Sequence, residues 1–337
     1  MRLVNRRQVE DFRQAFDGEI DSLVGVYRKA ACDILDLLSR EATSLAQRRR
    51  GIALLRQYEA ILADLHDESA AWLEMNLGAA YGRGLDFGDA SLKNVRKAGI
   101  NLGVSTPETF SLVHQQAVSA IVGEVSRTMD FAFSQIGRRA DDLFRQVGIR
   151  EVAKGVVEGK SRRQVSAAIK QELIDKGKLQ FVDKAGRAWD LDTYAEMVAR
   201  TTTRETMTQG TIDRLLEHGV ELGQIDSHGA SDFCIYYEGM IVSIGPERVA
   251  GYPTLEEIGG KPPWHPNCSH CLTPFVIQLS SPQEREAGIR PDWVVTETPA
   301  QLQKRFRQEF PERAKAEGQR LRQQAARRSA ARERRSK

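Results

Sequence analysis

One histidine and two cysteines crowd into a seven-residue segment, and no other feature of the chain restricts its possible folds so strongly. His265, Cys268 and Cys271 belong to the sequence His-Pro-Asn-Cys-Ser-His-Cys, and Cys234 lies about thirty residues upstream. Thiolates and imidazoles are the usual ligands of zinc, and a C-x-x-C turn brings two ligands close together. The pattern predicts a closed, structural zinc site made of these four residues, in a region too rich in loops to cohere without a staple.

Other interpretations of these residues stay open. His270 and His228 compete with His265 for the nitrogen ligand, and the thiols would also suit a core as small apolar side chains. Zinc deaminases combine P-C-x-x-C with an upstream H-x-E, whose Glu moves protons, but the upstream histidines here read His218-Gly-Val and His228-Gly-Ala, with no Glu. Nothing around Cys234 matches a nucleophile signature. We therefore predict that the protein is not an enzyme.

The charge of the chain is unevenly distributed. The net charge is +3, but residues 301–337 carry 13 Lys and Arg against 4 Asp and Glu, so the rest of the chain is mildly acidic. Such a terminal segment fits a polyanion or an acidic protein surface, or it serves only solubility. Without interleaved aromatics, any contact with DNA would be to phosphates and independent of sequence. The side chains predicted to make these contacts are Arg320, Arg322, Arg327, Arg328, Arg332, Arg334 and Arg335.

Neither a run of about 18 apolar residues nor the apolar core of a signal peptide occurs, so we expect no membrane span and synthesis in the host cytoplasm. In that reducing compartment, four cysteines are more consistent with thiols or metal ligands than with disulfides. The length suggests about two domains.

Hydrophobic periodicity changes near residue 177. Before it, apolar residues recur at helical spacing, as in Phe12, Ile20 and Tyr27, and Ser105 is predicted to cap a helix whose buried stripe includes Val113. We therefore predict a mainly α, elongated helical region over residues 1–177. A small α+β module with short antiparallel strands and the Cys/His knot follows over 178–290, and a basic, partly helical or disordered tail over 291–337.

The module begins with a predicted hairpin, 179–191, around an Asp-Lys-Ala-Gly turn, followed by a helix over 193–218. Short strands are expected within 220–226, 240–244 and 272–277. On the helix, Arg200 and Arg204 share one face. They are either solvated or buried against carboxylates such as Asp226 or Glu238, where they would orient the loops.

Four strings of the module, in this order along the chain, resemble the phage minor capsid protein 2 family and, more distantly, the Mu-type phage head morphogenesis proteins. The strings are 191–204, 225–234, 238–244 and 263–270, and the resemblance spans about 157–276. It implies that Cys234 and the His-Pro-Asn-Cys segment form a family fingerprint, together with Arg200, Thr201, Arg204 and Asp226. Relatives often have Ser or Thr at the position of Cys271. If Cys271 is dispensable, His270 or His228 is the fourth ligand.

The resemblance further implies a minor structural protein of a tailed-phage head, present in a few copies at the portal vertex or the capsid interior. Its partners would be the portal protein, the major capsid protein and packaged double-stranded DNA, and its role head assembly or genome delivery. The alternative is an effector enzyme carried in the virion, zinc-dependent like a deaminase or thiol-dependent like a cysteine hydrolase.

Overall fold

A computed structural model describes residues 4, 6–41, 48–102, 111–129, 164, 180–182, 188–265, 268–320 and 323. Contacts group the chain into two compact units. The helical unit comprises Phe16–Ala80 and Phe110–Thr203, and the mixed unit comprises Met1–Ala15, Tyr81–Thr109 and Arg204–Lys337. The helices are α1 Arg6–Arg13, α2 Asp17–Glu41, α3 Arg48–Lys97, α4 112–129, α5 Leu191–Glu217, α6 Pro282–Ala287, α7 Asp292–Thr296, α8 Pro299–Glu309 and α9 311–320.

The core of the helical unit is a run of aliphatic and aromatic side chains at helical spacing. Helix α2 buries Ile20, Leu23, Val24 and Tyr27, and α3 buries Leu65, Leu73 and Leu77. Val125 and Met129 of α4 and the first turns of α5 complete this core. Tyr27 keeps its hydroxyl satisfied inside it, because Ser69 Oγ donates to Tyr27 Oη at 3.1 Å. The helical periodicity of the N-terminal region is thus confirmed, with a turn at 14–16 between α1 and α2.

The two strands of the predicted hairpin are present before α5, and its Asp-Lys-Ala-Gly turn lies outside the described residues. Strands β1 (Gln180–Val182) and β2 (Ala188–Asp190) pair antiparallel, with Phe181 opposite Trp189. Helix α5 then runs to Glu217, one residue short of the predicted end. Gly219 ends it with φ +70°, a backbone conformation that favours glycine.

The mixed unit contains a small antiparallel sheet. Strands β3 (Leu222–Ile225), β4 (Ile241–Ser243) and β5 (Leu272–Pro274) are ordered β4-β3-β5, with Gln224 facing both Ile241 and Thr273. Each strand lies inside a segment predicted to be extended. The fold class is confirmed: a long helical N-terminal region precedes a small module with short antiparallel strands.

Within the mixed unit, the C-terminal parts of α3 and α5 approach closely through glycines. A Cβ added to Gly84 would lie 2.1 Å from the Met207 carbonyl oxygen, and one added to Gly210 would lie 2.2 Å from the Tyr81 carbonyl oxygen. Thr211 Oγ1 donates to the Gly84 carbonyl at 3.1 Å, so the backbones touch directly. This contact holds the end of α5 beside the sheet that follows it.

Helices beyond residue 290 contribute to the same core. Val294 of α7 and Leu302 and Phe306 of α8 are buried together with Cys234, Met240 and Cys268. Both α6 and α8 begin with capping boxes, at Ser281 and at Thr298. The core of the mixed unit therefore includes side chains on both sides of residue 290. The sequence-based boundaries at 177 and 290 stay predictions.

Candidate metal centre

Cys234 is placed by a short capped turn. The Asp232 carboxylate accepts a hydrogen bond from the Cys234 backbone N–H at 2.9 Å and so caps the 3₁₀ helix Phe233–Tyr236. At the other end of this helix, the Tyr237 N–H donates to the Cys234 carbonyl. The result is a buried thiol at a fixed position in the loop between β3 and β4.

Cys268 is placed by a second turn, next to β5. Its backbone N–H donates to the His265 carbonyl at 3.0 Å, which closes the chain into a tight turn between these two residues. Arg204 of α5 donates to the Cys268 carbonyl at 2.7 Å, and Arg13 of α1 donates to the Ser269 carbonyl at 2.8 Å. Side chains remote in sequence therefore hold the backbone carbonyls of Cys268 and Ser269.

The two turns bring two thiols and two imidazoles together. Cys234 Sγ lies 4.0 Å from Cys268 Sγ. His265 Nε2 lies 3.0 Å from Cys234 Sγ, and His270 Nδ1 lies 3.3 Å from Cys268 Sγ. Cys234, Cys268 and His270 form one compact group of potential ligands, and Asp232, Cys234 and His265 form a second group that shares Cys234.

These donors suit zinc. Tetrahedral zinc with Zn–S of about 2.3 Å and Zn–N of about 2.0–2.1 Å sets S···S near ~3.8 Å and S···N near ~3.6 Å. The distances between neighbouring donors in the structure, 4.0, 3.0 and 3.3 Å, lie close to these values. Two thiols with two imidazoles are also a typical structural zinc set, and soft sulfur ligands disfavour calcium and magnesium.

A carboxylate stands against each imidazole. Asp232 Oδ2 lies 3.1 Å from His265 Nε2, and Glu238 Oε1 lies 3.5 Å from His270 Nε2. Burial opposes ionisation of both acids, but hydrogen bonds from His265 and the Cys234 backbone lower the pKa of Asp232 to about 2. Hydrogen bonds from His270 and from the His228 and Ala230 backbones likewise lower the pKa of Glu238 to about 2. Both acids are therefore carboxylates at neutral pH.

The thiol nearest to His270 is held as a thiolate. A hydrogen bond from Cys234, followed by one from His270, lowers the pKa of Cys268 to about 4 against the effect of burial. The same hydrogen bond to Cys268 and burial raise the pKa of Cys234. For His270, burial is outweighed by hydrogen bonds to Cys268 and Glu238, which raise its pKa to about 9. A buried negative sulfur next to imidazoles is a suitable environment for a cation.

Cys271 and His228 lie beside the four converging residues, and His228 forms a further compact group of potential ligands with Glu238 and His270. Cys271 is buried, but it belongs to none of the compact ligand groups among the described residues. Its backbone N–H donates to Asp226 Oδ1 at 2.6 Å. Burial, followed by the charge of Asp226, raises the pKa of the Cys271 thiol well above its usual value. The His228 ring lies 4.3 Å from the His270 ring, and its Nε2 is 3.1 Å from Ser269 Oγ.

The remaining predicted residues are more scattered. Asp226 forms an ion pair with Arg13, and Arg204 holds the Cys268 carbonyl. Arg200 lies 3.5 Å from Glu196 and 3.7 Å from Asp17, in the helical unit. The Thr201 hydroxyl is enclosed without a hydrogen-bond partner among the described residues. Arg320 is exposed and pairs with Glu317, whereas Arg322, Arg327, Arg328, Arg332, Arg334 and Arg335 lie outside the described residues, as does the predicted cap at Ser105.

Three residues of this neighbourhood escaped the sequence-based prediction of the site. Asp232 and Glu238 were not among the candidate ligands, and Arg13 is 213 residues away from its partner Asp226. For Asp232 the sequence did offer a signal, because an Asp side chain often accepts a hydrogen bond from the backbone N–H two residues later, which here is that of Cys234. No periodicity or motif points to Arg13.

Comparison with protein-family models gives the match that decides the identity of the chain. The model described as phage minor capsid protein 2 matches residues 13–333, nearly the whole length. The chain belongs to this family. Comparisons with curated proteins and with solved structures give no match.

Membership in the phage minor capsid protein 2 family confirms the resemblance seen in the module and extends it to the helical region and the basic tail. It identifies a minor capsid protein and implies a location in the virion head with virion assembly partners. A capsid family also favours a structural role over an enzymatic one. Among the described helices, none is both long and apolar enough to cross a membrane.

Proposed function

We propose that this minor capsid protein is a structural component of a tailed-phage head at the portal vertex or the inner capsid wall, acting in head assembly or genome delivery. Its mixed unit is a docking module that one zinc ion holds together. Its basic C-terminal segment contacts the phosphates of packaged double-stranded DNA or an acidic surface of the portal protein. The major capsid protein is the other expected partner.

The observation that carries this proposal is the meeting of Cys234 and Cys268. The two thiols come from segments 34 residues apart, both are buried, and each has an imidazole nitrogen within 3.3 Å. The ligand set that supports the proposal best is Cys234, Cys268, His265 and His270. Because Cys234 belongs to both of these compact ligand groups, an ion held there would join the β3–β4 loop to the β5 turn and stabilise the fold.

A zinc- or thiol-dependent enzyme is the second candidate, and one arrangement favours it. Cys268, His270 and Glu238 follow one another as a thiol, an imidazole and a carboxylate, the order of a nucleophile, its base and an orienting acid. Cys268 is only 3% exposed, however, and its sulfur also faces Cys234. A substrate could reach this thiol only after the core had opened, so the structural role is the better supported one.

Metal content tests the zinc site. Full-length wild-type protein purified without added chelator is expected to carry about one zinc per chain by elemental analysis. Cys268→Ser and His270→Ala should lower this value, because each removes a ligand. Cys32→Ser is the matched control, since Cys32 is exposed on α2 in the helical unit. Wild-type protein with far less than one zinc per chain would refute the zinc site.

Cys271→Ser separates the two ligand sets. If His270 is the fourth ligand, Cys271→Ser keeps its zinc and His270→Ala loses it. The opposite result would restore the set with Cys271 predicted from the sequence. Both residues are buried, so circular dichroism of each variant must accompany the zinc measurement.

The basic segment is tested with the full chain. Replacing Arg327, Arg328, Arg332, Arg334 and Arg335 by Gln removes five positive charges while keeping the length of the chain. If these side chains contact phosphates, DNA affinity should fall, and the slope of log affinity against log salt should become shallower by up to about 4.5. The same number of substitutions at exposed basic residues of the helical unit is the control. An unchanged slope would remove DNA as the partner of this segment.

The location in the head is tested by lysine cross-linking of intact particles. Cross-links from this protein to the portal protein would support the portal vertex, and cross-links to the major capsid protein alone would support the inner wall. Cross-links only to tail proteins would contradict both locations.

A further inference from the structure

We propose that Glu238 is the positioning residue of the metal centre: it orients the His270 ring so that Nδ1, rather than Nε2, faces the ion. The proposal rests on the zinc site described under the proposed function and adds to it a residue that neither the sequence pattern nor the family match assigns.

The two nitrogens of His270 face opposite partners. Nδ1 lies 3.3 Å from Cys268 Sγ, and Nε2 lies 3.5 Å from Glu238 Oε1. Nε2 is buried and has no hydrogen-bond partner among the described residues, so the Glu238 carboxylate is the acid that faces it. A metal-binding histidine typically donates its second N–H to a carboxylate or a carbonyl, which fixes the tautomer and the orientation of the ring. His270 and Glu238 are placed for this arrangement, with a charge contact of 3.5 Å that a small movement of either side chain would turn into a hydrogen bond.

The carboxylate itself is rigidly held. The same oxygen, Glu238 Oε1, accepts the backbone N–H groups of His228 at 3.0 Å and Ala230 at 2.8 Å. The Glu238 carbonyl accepts a hydrogen bond from Arg290, and Gly239 has φ +75°, so the turn that carries Glu238 is fixed as well. A carboxylate with this many partners can orient a ring without reorganising.

His265 provides the contrast. Its contacts with Cys234 Sγ and with Asp232 Oδ2 are both made by Nε2, so Asp232 competes with the metal position instead of supporting the ring from behind. Glu238 is therefore the acid of this site whose geometry matches an outer-shell partner. It also connects the ion to the 228–230 loop, because one oxygen serves both the ring and that loop.

Glu238→Gln tests this assignment in the full-length protein. Glutamine keeps an oxygen that can accept from the His228 and Ala230 backbones but removes the negative charge facing His270. Zinc affinity, measured by competition with a chromogenic chelator, is expected to fall about 10–100-fold. Glu286→Gln, an exposed carboxylate of α6 in the same unit, is the matched control and should leave the affinity unchanged.

A spectrum separates positioning from general stability. Cobalt(II) substituted for zinc reports ligand number and symmetry through its visible absorption, and Glu238→Gln should alter this spectrum while Glu286→Gln does not. Unchanged affinity and an unchanged cobalt spectrum in Glu238→Gln, with zinc bound normally by the wild type, would overturn the role of Glu238 alone. Absence of zinc from the wild type would instead overturn the metal site on which the role depends.

Discussion

The helical unit and the mixed unit are stabilised in different ways. In the helical unit, buried side chains such as Leu23, Leu73 and Leu77 recur along helices, and the core depends on many contacts of one kind. In the mixed unit, each of the strands β3, β4 and β5 has only three or four residues. There, loops carry the Cys234 and Cys268 thiols and the His265 and His270 imidazoles. Ion pairs such as Arg13 with Asp226 and His270 with Glu238 surround them. A three-stranded sheet of this size buries little apolar surface by itself, so the mixed unit depends on the helices that share its core, such as α8 with Leu302 and Phe306, and on the groups around the thiols.

The difference teaches where single residues matter. A hydrophobic core distributes its free energy over many side chains, whereas a metal centre concentrates it in a few ligands. We therefore expect the loss of folding free energy in the mixed unit to be large for substitutions of the ligands and small elsewhere. In the helical unit, the loss should increase with the volume of the buried side chain that is removed.

Removal of the metal should have the largest effect. Chelation, or His270→Ala, is expected to abolish protection against amide hydrogen exchange in β3, β4 and β5, because the folding free energy of small zinc modules is mostly metal-binding free energy, about 10–16 kcal/mol in zinc-finger peptides. Amides of α2 in the helical unit should keep their protection. Hydrogen exchange with mass spectrometry measures both regions in one experiment.

Equal loss of protection in both units after chelation would break the comparison, because it would mean that the helical unit also depends on the ion. No loss in either unit would mean that the apolar core around Phe306 and Leu302 is sufficient for the mixed unit.

A cavity in the helical core should have the next largest effect. Leu77→Ala is expected to destabilise the helical unit by about 2–5 kcal/mol, because Leu77 is fully buried and its removal leaves a cavity. Met75→Ala, two residues away and 74% exposed, is the control and should change little. Urea unfolding, monitored through the hydrogen exchange of amides in α2 and α3, gives the size of each effect.

Similar losses of stability in Leu77→Ala and Met75→Ala would show that the buried volume of a side chain does not determine its contribution to the stability of the helical unit. Loss of zinc from Leu77→Ala would show that the two units do not respond separately.

The helical unit was largely predictable from the sequence, because burial on a helix repeats every three or four residues. Ile20 and Tyr27 of the predicted stripe are buried in the helical unit as expected, and Phe12 is buried in the mixed unit. Val113 was wrongly assigned to a buried stripe and is 69% exposed, while Val125 and Met129 on the same helix are buried. Periodicity alone does not say where along a helix its packing partners begin.

The metal centre was predictable only in part. Ligand chemistry and spacing pointed to Cys234, His265 and Cys268, and these residues do converge. Whether His270 or Cys271 joins them depends on a turn whose direction the sequence does not encode. In the structure, the backbone of Cys271 already pairs with Asp226 at the entrance to β5. The supporting residues Arg13 and Glu238 could not be found from spacing, since contacts over such distances in the chain depend on the complete fold.

A smaller effect is expected where α3 and α5 touch. Gly84→Ala should destabilise the mixed unit by about 1–3 kcal/mol, because the new methyl group would overlap the Met207 carbonyl and push the helices apart. Gly82→Ala, on the same helix with nothing within 4 Å of the new Cβ, should be neutral or stabilising by about 0.5–1 kcal/mol. Thermal unfolding of both variants in the zinc-loaded protein measures the difference. A destabilised Gly82→Ala with an unaffected Gly84→Ala would contradict the close contact.

The smallest predicted effect concerns a helix cap, Ser281, that is not one of the proposed zinc ligands. Ser281 caps α6 through a reciprocal hydrogen-bond pair with Glu284, so Ser281→Ala should cost about 1 kcal/mol, and Ser281→Asn, which keeps a capping oxygen, should cost less. The measurement is the urea midpoint at which β3, β4 and β5 lose protection against hydrogen exchange in the zinc-loaded full-length protein. If the zinc ligands dominate this unit, the loss from Ser281→Ala will be far below that from His270→Ala. A comparable loss would mean that free energy in the mixed unit is spread as evenly as in the helical unit, and the contrast between the two would disappear.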